Sequence, residues 1–138
     1  MIPVLQYLYN TLTADHDLVS RLATYRSGPA VFFGKAPSDA QMPYVVLHAD
    51  SAVPEEGHAT ERLLLAVDVY NRSESALGAL QIAGRIETVL DRQKPGLTGI
   101  TGLAIFRDFQ ALVDDEDPTV QHVHLEFIVR YGRDDLFA

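Results

Sequence analysis

A strand that is apolar on both faces has to be covered on both sides, and residues Arg62 to Tyr70 form such a strand. Leu63, Leu65, Val67 and Val69 fall on one face, and Leu64, Ala66, Asp68 and Tyr70 on the other. It belongs in the middle of a sheet. The strand runs directly into Asn71-Arg72-Ser73-Glu74, which offers Asn71 or Ser73 as a helix N-cap. Beyond it, Ala76, Ala79, Leu80, Ile82, Ala83, Ile86, Val89 and Leu90 make an apolar stripe at helical spacing. Lys94-Pro95-Gly96 is expected to stop this helix, because Pro lacks an amide donor and Gly accepts the left-handed cap. A central strand feeding a long amphipathic helix requires the helix to pack back onto the sheet.

The rest of the chain supplies the other layers. Val4, Leu5, Leu8, Leu12, Leu18, Val19 and Leu22 predict one broken helix or two short ones over residues 2 to 24, with Thr13 or Asp15 as the internal cap. Val31-Phe32-Phe33 reads as a short strand, and Pro43 to His48 as a strand entering a long hairpin loop, Ser51 to Thr60. Residues 103 to 113 read as a strand whose alternation breaks at Arg107 and Asp108, the mark of a β-bulge. Asp114-Asp115-Glu116-Asp117-Pro118 makes a turn. The last strand, Val120 to Tyr131, puts Val123, Leu125, Phe127, Val129 and Tyr131 inward and His122, His124, Glu126 and Arg130 outward. The expected fold is α+β: an antiparallel sheet of about four strands, with N-terminal helices and one long central helix packed on it. Residues 1-138 are expected to form one domain.

Composition narrows the function. A net charge of -8 opposes broad contact with a phosphate backbone. Without cysteine there is no disulfide, thiolate nucleophile or cysteine zinc cluster. Met1 to Leu5 lacks the basic start of a signal peptide, and no apolar run approaches the roughly 20 residues that span a bilayer, so a protein made in the cytoplasm is expected.

Candidate chemistry is sparse. Spacing of two on a strand puts His122 and His124 on one face, but structural zinc takes four ligands and the pair reads as solvent-facing polar residues. The acidic run 114 to 117 lacks the ligand spacing and turn glycine of a calcium loop. Gly96, Gly99 and Gly102 fit no phosphate-binding pattern, and no nucleophile elbow occurs. Asp68, a lone carboxylate in an apolar strand, is expected to be held by backbone amides or by Arg72. No catalytic residue, metal or cofactor is assigned. The alternative is a small ligand-binding protein or enzyme with a pocket near Asp68, drawing on His48 or the histidine pair.

Several phrases, in order, resemble the tail-completion or tail-terminator proteins of long-tailed phages, prophages and gene transfer agents. They are Leu8-Tyr9 through Leu22, Phe33-Gly34-Lys35-Ala36-Pro37, Pro43-Tyr44-Val45-Val46, Val67 to Ser73 entering the long helix, and the alternating C-terminal strand. The resemblance implies a small α+β subunit that forms a homo-hexameric ring at the head-proximal end of the tail. Its partners would be copies of itself, the tail tube protein and a head-tail connector protein, with DNA passing the lumen unbound; a connector subunit of similar size is the neighbouring alternative. Head-to-tail rings need two different patches per subunit. The expected interface residues are Phe32, Phe33, Pro54, Glu55, Glu56, Leu136 and Phe137, and the expected acidic lumen or tip is Asp114, Asp115, Glu116 and Asp117.

Overall fold

The computed structural model describes residues 1–55 and 60–133. It opens with helices α1 (Ile2–Ala14) and α2 (His16–Ser20). Val4, Leu8 and Leu12 recur at one helical turn and are fully buried. The break between the helices falls at Asp15, whose backbone is extended and whose carboxylate accepts the Leu18 N–H at 3.0 Å. This cap was one of the two anticipated. The same carboxylate receives both prongs of Arg85 from helix α3 (Leu77–Leu90), Nε at 2.8 Å and Nη2 at 2.7 Å. One aspartate thus ends α1, starts α2 and ties both to α3.

The strands are β1 (Thr24–Tyr25), β2 (Gly28–Pro29), β3 (Val31–Phe33), β4 (Tyr44–Pro54), β5 (Thr60–Arg72), β6 (Ile100–Val113) and β7 (Val120–Arg133). The first two form a small antiparallel ribbon that the sequence pattern did not reveal. The others build one sheet in the order β3-β4-β5-β7-β6, with β5 at its centre. The sheet has five strands rather than about four, and it is mixed. Residues 34–43 carry the chain back past β3, so β3 and β4 run parallel, pairing Val31 with Val45 and Phe33 with Leu47.

Three boundaries differ from the sequence reading. Residues 51–54 pair with 61–64, so most of the expected long loop is strand, continued past a bulge between Ala49 and Ser51. Helix α3 starts at Leu77, because Asn71 and Arg72 stay in the ladder opposite Gln121 and Val120. Serine turns then bridge the gap: Ser73 Oγ accepts from the Ser75 N–H, and Ser75 Oγ from the Leu77 N–H, each at 3.1 Å. Gly78 packs under the Asn71 side chain, whose Nδ2 would lie 2.8 Å from a Cβ there. Finally, α3 ends at Leu90, before Pro95; Arg92 takes a left-handed φ of 61° and gives its N–H to Ile105 O at 2.7 Å. The bulge expected near Arg107 and Asp108 is present between Arg107 and Phe109.

All three helices share a core with one face of the sheet. Leu65, Val67, Val69, Val123, Leu125, Phe127, Val129 and Tyr131 are fully buried against Leu8, Leu12, Ile86 and Leu90. The inward set of β7 is the one its alternation predicted. Truncating any of these large side chains to Ala is expected to cost about 2–5 kcal/mol.

Asp15 provides a sharper test. Asp15→Ala removes the cap and is expected to cost about 1 kcal/mol in urea unfolding, plus whatever the Arg85 pair adds. Asp15→Asn keeps a capping oxygen and isolates the pair. The Arg85 hydrogen bonds, helped by the Leu18 amide, outweigh burial and hold the Asp15 pKa below its ordinary value. The pair's stabilisation is therefore complete above the unfolded carboxylate pKa of about 3.9 and is lost as pH falls through the lower folded value. The stability gap between wild type and Asp15→Asn should close below about pH 4.

Candidate functional site

The face of the sheet opposite the helices carries a polar cluster, and strand register brings it together. Asp68 on β5 stands directly across from His124 on β7 and one step diagonally from His122. On the other side, Asp68 pairs with Val46, which puts His48 of β4 on the second diagonal. The result is one carboxylate under three imidazoles. Asp68 Oδ1 lies 2.6 Å from His122 Nε2 and 2.7 Å from His124 Nδ1, while Oδ2 lies 3.3 Å from His48 Nε2. His124 Nε2 meets Glu126 Oε1 at 3.0 Å. His122 stacks on Tyr70 with centroids 4.3 Å apart, and Tyr70 packs on Tyr44 at 5.2 Å.

The electrostatics follow from this packing. Asp68 is only 6% exposed, and burial works against its charge, but the hydrogen bonds from His122 and His124 prevail and hold its pKa below the ordinary value. Burial likewise opposes the His124 cation, yet Asp68 and Glu126 flank both ring nitrogens and raise its pKa. Tyr70 is pushed up to about 12, first by burial and then by the Asp68 charge. Sequence reasoning expected backbone amides or Arg72 to hold Asp68; imidazoles hold it instead, and Arg72 reaches the β6–β7 turn, with Nη1 donating to Asp117 Oδ2 at 3.0 Å and to Thr119 Oγ1 at 2.8 Å. The His122-x-His124 spacing singles out the pair in the sequence but reads as solvent-facing, whereas their side chains are only 15% and 22% exposed. What it lacked was the β4–β5–β7 register that adds Asp68 and His48.

The expected interface residues do not form one patch. Phe33 is 46% exposed and stacks on Tyr9 of α1 at 5.5 Å, whereas Phe32 points to the other face and packs edge-on against Tyr25 and Tyr44. Pro54 is exposed at the far end of β4, and Glu55 is engaged by Arg130, whose Nε donates to Oε1 at 2.9 Å and holds the Glu55 pKa down. Glu56, Leu136 and Phe137 lie outside the described residues. Asp114, Asp115 and Glu116 are exposed at the β6–β7 turn, but Asp117 is half-buried there. Asp117 accepts the Thr119 hydroxyl and amide, which with Arg72 lowers its pKa to about 2.

A surface that sequence reasoning missed runs along β6. This edge strand has 14 residues, with Phe106, Phe109 and Val113 exposed by 40%, 48% and 39% on the outer face and Leu112 by 55% on the helix-side face. Phe106 also lines an open depression of about 540 Å³ with Val53, Glu55, Arg62, Ile128 and Arg130. The outer edge of β6 is engaged at Ile105 by Arg92 and Gln93 and at Arg107 by Asp91; beyond Arg107 no described strand pairs with it, and that stretch, with its exposed apolar groups, is a template for another chain.

Together these features define an α+β subunit equipped for contact with other chains. Residues 6–132 match the family model described as tail completion protein gp17, and the chain belongs to that family. It is a structural protein of tail assembly whose place is the virion. Its fold is similar to that of a chain in a solved structure titled "Virion of native gene transfer agent (GTA) particle", with a TM-score of 0.70, 20% identity and 91% of each chain covered. A search of curated protein sequences finds no match.

Because Asp68 holds three imidazoles together, Asp68→Asn should destabilise the fold by about 1–3 kcal/mol in denaturant unfolding. The loss of stability should be accompanied by loosening of His122 and His124 in ring-proton NMR spectra. Unchanged stability and unchanged histidine signals would contradict the arrangement.

Proposed function

We propose that this chain is the ring-forming terminator of the tail tube, acting as a single 1-138 unit without catalysis. It ends tube polymerisation at the head-proximal end and meets the head-tail connector, and DNA passes its lumen. The observation that carries this reading is the β6 edge beyond Arg107, where no described strand pairs and Phe109, Leu112 and Val113 are exposed. Closed rings require two unlike patches that recognise each other. The opposite sheet edge is the three-residue β3, with exposed Phe33 packed on Tyr9, so the two edges differ in length and chemistry. A homo-hexamer is the expected stoichiometry.

Charge supports the lumen. A conduit for DNA should repel phosphate at close range, and the chain carries -8 with Asp114, Asp115 and Glu116 exposed at a hairpin tip. We assign that tip to the lumen side and Pro54 with Glu55 to a contact at the other end of the sheet. Tube protein and connector protein would take the two rims of the ring.

Native mass spectrometry of the pure protein, with electron microscopy of tails assembled in its presence, tests the reading. Rings, or monomers that become rings at tube ends, are expected. Leu112→Lys should block ring formation while leaving the monomer's unfolding midpoint nearly unchanged, since its side chain is 55% exposed. A strict monomer that never caps a tube would sink the proposal.

A further inference from the structure

The cluster on the open face has the donor set of a transition-metal site. We propose that Asp68, His122 and His124 bind one divalent ion of the zinc class, stapling β5 to β7 across the face that no described helix covers, with His48 positioning the Asp68 carboxylate. Asp68 Oδ1, His122 Nε2 and His124 Nδ1 all lie within 4.8 Å of one another, and His48 Nε2 approaches the second Asp68 oxygen at 3.3 Å. Two imidazole nitrogens and one carboxylate oxygen make three protein ligands, which leaves the fourth zinc position to water, while His48 holds the other Asp68 oxygen and orients the carboxylate. Imidazole-rich donors select zinc, cobalt or nickel over magnesium and calcium, which prefer all-oxygen shells.

The surroundings fit a ligand site better than a chance cluster. His124 turns Nδ1 inward and sets Nε2 against the Glu126 carboxylate at 3.0 Å, the arrangement in which a metal-bound histidine donates its outer N–H. The Tyr70 ring fixes the plane of His122. The three donors stand on the adjacent strands β5 and β7, so the ladder preorganises them. Ligands bonded to zinc at about 2.0–2.1 Å sit roughly 3.3 Å apart, so the 2.6 and 2.7 Å spacings need widen by little more than half an ångström. The His48 side chain is 35% exposed, which leaves a path from solvent, and a shallow pocket of about 260 Å³ opens beside it. Two carboxylates and a net charge of -8 favour a cation there.

In the metal-free protein, ring protons fill the same lone pairs, so metal and protons exclude each other. The untagged protein, dialysed against zinc and passed through a gel-filtration column, should retain a stoichiometric ion by elemental analysis. Cobalt in its place should give the visible d–d bands of a tetrahedral nitrogen and oxygen site. His122→Gln with His124→Gln should abolish retention, His48→Gln should weaken it, and Glu126→Gln should lower affinity by roughly tenfold to a hundredfold. His16→Gln, on α2 and away from the cluster, should bind as wild type does. Circular dichroism checks the double variant's fold; if it fails, His48→Gln and Glu126→Gln still decide the matter, since neither group is buried. No zinc on the wild-type protein, or equal retention in all variants, would overturn the proposal.

Discussion

Strand β5 is hydrogen-bonded on both edges along nearly its whole length, to β4 from Tyr44 to Pro54 and to β7 from Val120 to Gly132. Everything else is placed relative to it. Its helix-side residues Leu63, Leu65, Val67 and Val69 are fully buried, so the helices have one surface to cover and the inward faces of β4 and β7 are set by register. A slip of one residue in β5 would turn Asp68 into the core and Val67 out of it, at a cost no local adjustment could offset.

That same register decides what the outer face can be. Asp68 occupies the centre of the sheet, where a carboxylate without partners would be strongly disfavoured. The neighbouring strands answer with His48, His122 and His124, and Tyr70 and Tyr44 shield one flank. The outer face is therefore partly covered by side chains from its own strands. This explains how a strand apolar on both faces sits in a sheet whose helices all lie on one side: Ala66 is buried and Leu64 and Tyr70 half-buried by neighbours rather than by a further layer.

Much of this was legible in the sequence. Period-two alternation gave the inward faces of β5 and β7, helical spacing gave α1 and α3, and the break at Arg107 and Asp108 marked a real bulge. The failures came where tertiary contacts overrode local signals. Asn71 and Ser73 are good caps, but ladder pairing with β7 holds residues 71 and 72 extended, and the helix waits until Leu77. The Ser51 to Thr60 stretch is polar enough for a loop, yet residues 51–54 are held in strand by pairing with β5. The parallel placement of β3 depends on where residues 34–43 travel, which no periodicity encodes.

The candidate sites divide along the same line. Phe32 and Phe33 are adjacent in sequence, and a strand sends adjacent residues to opposite faces, so they could never form one patch. Phe32 joins the aromatic row with Tyr25 and Tyr44, and only Phe33 remains on the helix side with Tyr9. The apolar edge of β6 escaped notice because Phe106, Phe109 and Leu112 read as ordinary strand interior; only the sheet order makes β6 an edge. Edge position is a property of the whole topology. For a protein of tail assembly this matters most, because apolar groups at a strand edge without a partner are the ones another chain can cover. The acidic tip makes the converse point: Asp117 looks like a free charge in sequence, yet the fold commits it to Thr119 and Arg72. Asp114, Asp115 and Glu116 are left to present the chain's excess negative charge at that end of the sheet.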